Sequence, residues 1–345
     1  MPAPKPLRPA RTQDTTPEMA IPVTANAQPS STAGTLRDYL RIARPDHWIK
    51  NIFVFPGVAA ALVVAPHAVQ SFWTLGTLVV GLVAVCLTAS ANYTINEFLD
   101  AQYDRHHPLK QNRPGARGVL DIRLVFAQYL ILAVAGMLLA AAINKPFMIC
   151  AMWLLVMGIA YNVEPLRTKD RAYLDVLSES INNPIRFLFG WFILAPDVLP
   201  PASALLAYWM GGAFLMAVKR YAEFRSINDP ARAALYRRSF GRYTESTLLL
   251  SAFFYAISSA FFIGVFLIKY RIGFVLTFPL FAALFTWYLA IGLRRESAAQ
   301  APEKLYRETA FLAFAALTFL VAVLLFLVDI PILNVLTETR LLQTP

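Results

Sequence analysis

One short stretch of the chain concentrates side chains that bind divalent cations. Asn96, Glu97, Asp100 and Asp104 follow one another at helical spacing, and at 100° per residue the three carboxylates fall within about 60° on one helix face. Three carboxylates on one stripe repel each other unless a cation compensates them, and hard oxygen ligands suit Mg²⁺. The stretch therefore predicts a Mg²⁺ site shared with a diphosphate, the alternative being a solvated helix end.

Basic side chains follow directly after these carboxylates. The chain continues as Arg105-His106-His107-Pro108-Leu109-Lys110 and then reaches Arg113. Lys and Arg bind phosphate oxygens through charge-assisted hydrogen bonds, so we expect Lys110 and Arg113 to hold a phosphate beside the carboxylates. A transition-metal site at the two histidines is the alternative, which the lack of a Cys partner disfavours.

A second set of polar residues enters a later apolar segment. Asp175, Glu179, Asn182 and Arg186 are spaced at i, i+4, i+7 and i+11, which places them on one stripe of a helix. Ionisable groups inside an apolar segment are costly and mark functional positions. We therefore predict a functional site here, with a structural ion pair between Glu179 and Arg186 as the alternative.

A third cluster closes another apolar segment. The sequence reads Lys219-Arg220-Tyr221-Ala222-Glu223, and Arg225, Arg237, Arg238 and Arg242 follow. This density of cations suits a second phosphate, whereas a simple helix pair between Lys219 and Glu223 is the alternative. Neither a Walker-type loop nor a GxGxxG motif accompanies the cluster, so the sequence does not indicate a nucleotide-binding fold.

The elements that must position these residues are apolar segments long enough to span a bilayer. Of 345 residues, 57% are hydrophobic and 15% are charged, and the mean hydropathy is +0.52, whereas a soluble domain carries roughly a quarter charged residues. We predict an all-α polytopic membrane bundle of about nine transmembrane helices, at residues 51–65, 72–95, 124–143, 146–163, 181–196, 203–222, 246–268, 273–293 and 309–329. Residues 37–332 would form one catalytic domain between a disordered tail at 1–36 and a C-terminal tail at 333–345.

Basic residues are distributed unequally between the two ends of these segments. Of 31 Lys and Arg, 26 lie in the N-terminal segment and in the connections after the second, fourth, sixth and eighth spans. The opposite end has only Lys145, Lys269, Arg271 and Arg340, and Arg186 lies within a span. The positive-inside rule places the basic end in the cytoplasm. We therefore predict a multi-pass protein of the inner membrane whose functional groups face the cytoplasm.

At these residues the sequence resembles the UbiA superfamily of intramembrane prenyltransferases, over about residues 37–329. The stretch from Asn96 to Asp104 is similar to the first aspartate-rich motif of that family, with Glu97 where the family usually has Asp. Tyr161, the segment Pro165-Leu166-Arg167-Thr168-Lys169 and Asp175 resemble the second motif. The segment Arg44-Pro45-Asp46-His47-Trp48-Ile49-Lys50-Asn51 and the Lys219–Glu223 block are similar to the decaprenyl-phosphate phosphoribosyltransferase branch.

The resemblance implies that a 5-phosphoribosyl group passes from 5-phosphoribosyl diphosphate (PRPP) to a polyprenyl phosphate, with Mg²⁺ as cofactor and diphosphate as leaving group. It implies that Asp100, Asp104 and Asp175 hold Mg²⁺ with Glu97 in support, and that Lys50 acts on the leaving group. The implied substrate-binding residues are Asn96, Lys110, Arg113, Tyr161, Lys169, Glu179, Asn182, Arg186, Lys219 and Arg220. The expected partners are these substrates and the lipid bilayer, with no nucleic acid. One alternative is transfer from a prenyl diphosphate to an aromatic or other acceptor, and another is a transporter or lipid-binding protein.

Overall fold

A computed structural model of the chain describes residues 33–64, 72–105, 110–227, 229–270, 272–294, 297–300 and 302–327. Over these residues the chain is built from helices and contains no β-strand, as the sequence predicts. The α-helices are, in chain order, α1 (Leu36–Ile42), α2 (Phe55–Val64), α3 (Phe72–Leu99), α4 (Ala101–Asp104), α5 (Pro114–Arg117), α6 (Ile122–Ile143), α7 (Lys145–Asn162), α8 (Leu174–Ser180), α9 (Asn182–Leu194), α10 (Ala202–Ile227), α11 (Pro230–Tyr236), α12 (Glu245–Tyr270), α13 (Phe278–Gly292) and α14 (Thr309–Leu327). Short 3₁₀-helices lie at Pro45–Val54, Thr168–Asp170, Arg238–Arg242, Ile272–Thr277, Ala298–Gln300 and Pro302–Arg307.

Within the described ranges, six helices are long and apolar enough to cross a bilayer. They are found at Thr74–Leu99, Ile122–Ile143, Lys145–Asn162, Ala202–Ile227, Glu245–Lys269 and Val275–Gly292, and they confirm six predicted spans. The spans predicted at 51–65 and 181–196 contain α2, of 10 residues, and α9, of 13 residues. A helix of ten residues rises about 15 Å, roughly half the hydrocarbon thickness. Helix length alone does not decide whether these two segments cross the bilayer, so the number of nine spans stays a prediction.

Helices α2, α3, α6, α7 and α9 share one apolar core. Phe147 and Leu154 of α7 are buried there against Phe189 and Trp191 of α9, and the rings of Phe147 and Phe189 are 4.7 Å apart. Asn144 fixes the start of α7, because its side chain accepts a hydrogen bond from the Phe147 amide at 2.8 Å. The core holds the short helix α9 between longer ones.

A second apolar core joins α8, α10, α12, α13 and α14. Its buried members include Phe214 of α10, Tyr255 of α12, Tyr288 of α13 and Phe311 of α14. A smaller cluster, with Tyr236 and Phe240 among its buried members, packs α11 and the 3₁₀-helix Arg238–Arg242 against the end of α10. The two cores leave the polar ends of α3, α8 and α10 facing each other.

Two glycines set the crossing of α2 and α9. A Cβ atom on Gly57 would lie 1.9 Å from the carbonyl oxygen of Phe187, and one on Gly190 would lie 2.0 Å from that of Val54. Small residues let helix backbones approach closely where lipid supplies no hydrophobic drive for association. The two short helices therefore pack backbone against backbone.

Large apolar side chains cover the outward faces of the long helices. Leu130, Ile131 and Leu138 of α6 are exposed, as are Phe253 and Phe261 of α12. In water such contiguous apolar faces are a liability, but they fit a bilayer. Most of the predicted tails, 1–36 and 333–345, and the residues 106–109 lie outside the described part of the chain.

Candidate active site

A polar cavity of about 170 Å³ opens at the basic end of the bundle. Its walls come from the ends of α3, α8 and α10, the 3₁₀-helix Pro45–Val54, and the segments around residues 110–113, 167–170 and 236–238. The lining includes ten cationic side chains: Arg44, Lys50, Lys110, Arg113, Arg167, Lys169, Lys219, Arg220, Arg237 and Arg238. Five carboxylates, Asp100, Asp104, Asp170, Glu179 and Glu223, also line it, together with His47, Tyr93, Asn96, Tyr103, Tyr161, Tyr236 and Gln300. The excess of positive charge indicates an anionic ligand.

The first predicted stripe divides between the cavity and the protein interior. Helix α3 ends at Leu99 and Asp100 turns into α4, so Asp100 and Asp104 reach the cavity together with Asn96. Glu97 is 2% exposed and does not line the cavity. Its Oε2 accepts hydrogen bonds from Arg44 at 2.9 and 3.2 Å, whereas its Oε1 is buried and has no hydrogen-bond partner among the described residues.

Asp100 pairs with cations of the loop before α8. Lys169 donates hydrogen bonds to Asp100, to the Asn96 side chain at 3.2 Å and to Asn162 at 2.7 Å, and Arg167 lies 3.2 Å from Asp100. Burial opposes ionisation of Asp100, but the charges of Lys169 and Arg167 hold the pKa of that carboxyl below its usual range. Burial lowers the pKa of the Lys169 amine to about 8, although Asp100 opposes the shift.

Asp104 and Lys110 form the neighbouring wall. Arg113 donates a hydrogen bond to Asp104 at 2.8 Å. Lys110 donates to the Tyr236 hydroxyl and lies 4.6 Å from the centre of that ring. Burial lowers the pKa of the Lys110 amine to about 8, with Glu223 and Asp104 acting against it. The cations predicted to bind phosphate thus lie beside the first motif.

Asp175 lies behind the cavity and connects three elements. It is fully buried and accepts hydrogen bonds from Arg220 at 3.2 Å, Ser239 at 3.1 Å and Tyr243 at 2.8 Å. The Tyr173 amide donates in turn to the Tyr243 hydroxyl. Both carboxylate oxygens therefore have partners within the protein, and a role as Mg²⁺ ligand stays a prediction.

Arg220 is the centre of the ion pairs on the α8–α10 side. It is 1% exposed and donates to Glu179, to Glu223 at 3.1 Å and to the Tyr161 hydroxyl at 3.3 Å, in addition to Asp175. Tyr161 donates to Glu179 at 2.8 Å. Burial opposes ionisation of Glu179, but Arg220 and Lys219 hold the pKa of that carboxyl far below its usual range. Glu179 and Glu223 thus pair with Arg220, in place of the partners Arg186 and Lys219 that the sequence offered.

Asn182 and Arg186 lie outside the cavity lining. Helix α8 ends at Ser180 and α9 begins at Asn182, so the predicted stripe runs across a helix junction and turns away. Arg186 donates to the Asn51 side chain at 3.1 Å and to the Asn182 carbonyl at 3.3 Å. Arg186 thus connects α9 with the 3₁₀-helix Pro45–Val54, whereas Asn182 donates to the Glu179 carbonyl of α8. The substrate contacts predicted for the two residues stay untested.

Several lining residues are not among those that the sequence predicts for the site. Arg237 and Arg238 reach the cavity from the short helix after α11, and the described part of the chain offers the buried Arg237 Nε no hydrogen-bond partner. The run of arginines after Glu223 was a signal for them. Tyr93, Tyr103 and Tyr236 gave no signal, because an isolated aromatic residue in an apolar segment is most often part of a core.

The donor atoms at the first motif fit Mg²⁺ when a diphosphate supplies further oxygens. In the described ranges no group of three His, Cys, Asp or Glu residues is arranged to hold a metal ion. Mg²⁺ typically takes one or two carboxylates and completes its shell with water and substrate phosphates. Asp100 and Asp104, with the Asn96 amide oxygen, match that requirement.

Apolar helices surround a cationic cavity that also presents carboxylates, an arrangement that fits an intramembrane transferase. The chain belongs to the UbiA prenyltransferase family, whose family model matches residues 53–315. This assignment confirms the resemblance inferred from the motifs.

Two relatives and one solved structure illustrate the similarity. The decaprenyl-phosphate phosphoribosyltransferase of Mycolicibacterium smegmatis is 30% identical over 211 residues, which cover 61% of this chain and 63% of that protein. That of Mycobacterium tuberculosis (strain CDC 1551 / Oshkosh) is 28% identical over 218 residues, covering 63% and 69%. A UbiA homologue from Archaeoglobus fulgidus, solved with GPP and Mg²⁺, has a TM-score of 0.63 at 21% identity and covers 84% of this chain and 100% of that chain. The last similarity supports the fold.

Proposed function

We propose that the protein transfers the 5-phosphoribosyl group of PRPP to a polyprenyl phosphate and releases diphosphate. The observation that carries this proposal is the distribution of the ten cavity cations over five separate segments. PRPP carries a diphosphate at C1 and a monophosphate at C5, and the acceptor adds a third anionic group. A prenyl diphosphate has one charged end and requires one cationic clamp. The names of the two mycobacterial relatives support the same donor.

The first motif would hold the diphosphate end of the donor. Asp100 and Asp104, with Asn96, would ligate Mg²⁺, which when bound supplies positive charge to the leaving diphosphate. Arg113 and Lys169 now neutralise these carboxylates. With the metal in place, the charges of Arg113 and Lys169 would become available to diphosphate oxygens and would stabilise the charge that develops as the bond breaks.

The transfer requires no strong general base. An oxygen of the acceptor phosphate forms a bond to C1 of the ribose, while the bond between C1 and the diphosphate oxygen breaks and its electron pair leaves with diphosphate. The acceptor oxygen is already anionic, so no proton has to be removed. His47 fits this scheme, since burial and the neighbouring Lys50 and Arg44 lower the pKa of its ring to about 2 and keep it neutral.

One comparison of substrates tests the proposal. Purified protein in detergent with Mg²⁺ receives either PRPP with a polyprenyl phosphate or a prenyl diphosphate with an aromatic acid, and lipid products are identified by mass spectrometry. We expect a polyprenyl phosphoribose product from the first pair. Consumption of the second pair alone would reject the phosphoribosyl donor.

Prenyl transfer to an aromatic or other acceptor is the second candidate. The family is one of prenyltransferases, and the first motif would hold a prenyl diphosphate in the same way. The cluster formed by Lys50 and Lys219 would then have no ligand phosphate to neutralise. A transporter or lipid-binding protein, the third alternative from the sequence, predicts no release of diphosphate.

We propose the inner membrane as the location, with the cavity open to the cytoplasm.

A further inference from the structure

The cavity lining also carries positive charge on elements other than those of the first motif. The residues concerned, Lys50 and Lys219 among them, form what is called this wall of the cavity. Lys219 of α10 lines this wall, and the described part of the chain offers it no hydrogen bond or ion pair. The negative charges of Glu179 and Glu223 act on Lys219, but both carboxylates already form ion pairs with Arg220. The Lys219 ammonium group is therefore available to an anion from outside.

The 3₁₀-helix Pro45–Val54 also contributes to this wall of the cavity. Lys50 lies there with its Nζ 3.2 Å from the Nδ1 of His47, and both residues line the cavity. The His47 ring packs edge-on against Tyr93 at 5.3 Å. Positive charges of Lys50, Arg44, Lys219 and Arg113 all act on His47. Its neutral ring accepts from Lys50 through Nδ1, and its Nε2 lies 3.7 Å from Oδ2 of the exposed Asp46 carboxylate.

The same 3₁₀-helix presents an apolar face on its outer side. Residues three apart share a face in a 3₁₀-helix, so His47 and Lys50 face the cavity together, whereas Ile49 and Ile52 share a different face. Ile49 is 63% exposed and Ile52 is 56% exposed. Next to them, Trp48 is 42% exposed and donates a hydrogen bond to Ser90 of α3. One short element thus has a cationic face toward the cavity and an apolar face toward the surroundings.

We infer that this bay, formed by His47, Lys50 and Lys219, binds the phosphate of the polyprenyl acceptor, whose chain leaves the cavity along Ile49 and Ile52. The inference rests on the proposed function and extends it, because it assigns the acceptor to one wall of the cavity. A polyprenyl phosphate has one anionic end and a long apolar tail, which matches the two faces of the 3₁₀-helix.

The donor does not match this wall equally well. The 5-phosphate of PRPP is attached to a small polar sugar and has no apolar tail to place along Ile49 and Ile52. The carboxylates that would hold its Mg²⁺-bound diphosphate, Asp100 and Asp104, come from the end of α3 and from α4, whereas Lys50 and Lys219 come from other elements. A donor at the first motif and an acceptor in the bay would approach each other across the cavity, as transfer to C1 requires.

Binding measurements without turnover test the inference. Farnesyl phosphate, farnesol and ribose 5-phosphate are titrated by calorimetry into detergent-solubilised protein, without Mg²⁺ and without PRPP. Wild-type protein should bind farnesyl phosphate at least tenfold more tightly than farnesol. Lys219→Gln and Lys50→Gln should each weaken farnesyl phosphate binding by roughly ten- to a hundredfold, with the affinity for ribose 5-phosphate unchanged within about twofold. Arg232→Gln, which removes an exposed cation outside the cavity, is the matched control and should change neither affinity.

Three results separate the possible outcomes. Equal affinity of wild-type protein for farnesyl phosphate and farnesol overturns the inference without any variant. A larger loss for ribose 5-phosphate than for farnesyl phosphate in Lys219→Gln assigns the bay to the donor and also overturns it. If the bay binds farnesyl phosphate as expected while PRPP is never consumed, the acceptor site stands and the proposed donor fails. Lys219→Arg keeps the charge and should restore binding if Lys219→Gln is poorly folded.

Discussion

Asp100 and Asp104 line the cavity as carboxylates that protein cations already neutralise. Asp100 pairs with Lys169 and Arg167, and Asp104 with Arg113. Because each carboxylate has a partner of its own, the site avoids the repulsion that adjacent carboxylates would otherwise cause. Once a metal ion binds the carboxylates, the same cations would lie beside a diphosphate. Each cation would therefore have an anionic partner both with and without substrate.

Asp104→Asn should remove most turnover and leave the fold intact. The substitution deletes one anionic Mg²⁺ ligand, and we expect turnover to fall by roughly a hundredfold or more, as for removal of a group that stabilises developing charge. The Arg113 side chain is 26% exposed, so water can solvate its charge when its partner is lost. Initial rates at saturating Mg²⁺ and the melting temperature in detergent measure the two effects.

The control for this substitution is Asp197→Asn, at an exposed position outside the cavity. It should retain wild-type rates. Rates that persist in Asp104→Asn and also in the presence of EDTA would contradict a Mg²⁺ site at the first motif.

The Lys110 amine should make donor binding pH-dependent. Its pKa in the protein is lowered to about 8 by burial, so the amine is largely protonated at pH 7 and loses its proton as the pH rises past 8. An anionic donor binds the protonated form better, and the apparent KM for PRPP should therefore rise with pH between about 8 and 9.5. Lys110→Arg keeps its charge in that range and should flatten this rise. An unchanged slope in Lys110→Arg would assign the titration to another group, with Lys169 the first candidate.

The sequence predicted much of the cavity lining at the level of residues. The structure places Asn96, Asp100 and Asp104 there, together with Lys50, Lys110, Arg113, Tyr161, Lys169, Glu179, Lys219 and Arg220. Their chemical roles stay predictions. Glu97, Asp175, Asn182 and Arg186 lie outside the lining. Residues at helical spacing share a face only along one continuous helix, and the chain turns at Asp100 and at Ile181.

Short elements, more than long helices, position these side chains. Asp175 at the start of α8 holds Ser239 and Tyr243 of the segment that follows α11, and that segment places Arg237 and Arg238 at the cavity. Nothing in local sequence connects residues 64 positions apart, so this contact could not be predicted from spacing. The six long helices, by contrast, follow from hydropathy alone.

Gly190→Ala should destabilise the packing of α2 on α9. The new Cβ would lie 2.0 Å from the Val54 carbonyl oxygen and 2.7 Å from the Val58 amide nitrogen, and backbone atoms cannot rotate away as a side chain can. Overpacking of this kind costs about 1–3 kcal/mol, and the melting temperature in detergent should fall. Gly264→Ala in α12 meets no atom within 4 Å, so the same change there should leave the melting temperature equal or slightly higher. Equal melting temperatures for both variants would mean that the two helices are not in close contact.

The basic residues concentrate at one end of the helix bundle. The cavity lining, the ends of α3, α8 and α10, and the start of α12 lie at the basic end, whereas Asn144, between α6 and α7, lies at the other. Asn144 donates a hydrogen bond to the Phe192 carbonyl near the end of α9 at 2.8 Å. Helix α9 therefore runs from the basic end to the opposite end in spite of its 13 residues. By the same reasoning α2 must carry the chain away from the basic end, because both the 3₁₀-helix before it and the last turn of α3 line the cavity.

Topology mapping should therefore find nine crossings, with the described end of α14 on the side opposite the cavity. Gln300 lines the cavity, so α13 returns to the basic end and α14 leaves it again. Reporter fusions at residues 118–121, 171–173, 237–244 and 297–300 should report the cytoplasm, since the basic end is retained there. Fusions at residues 144–145 and 196–200 should report the opposite side. The fusion at residues 196–200 is the most informative one. A cytoplasmic signal there, with the cavity-end fusions also cytoplasmic, would mean that neither α9 nor α10 crosses the membrane and that the count of nine spans is wrong.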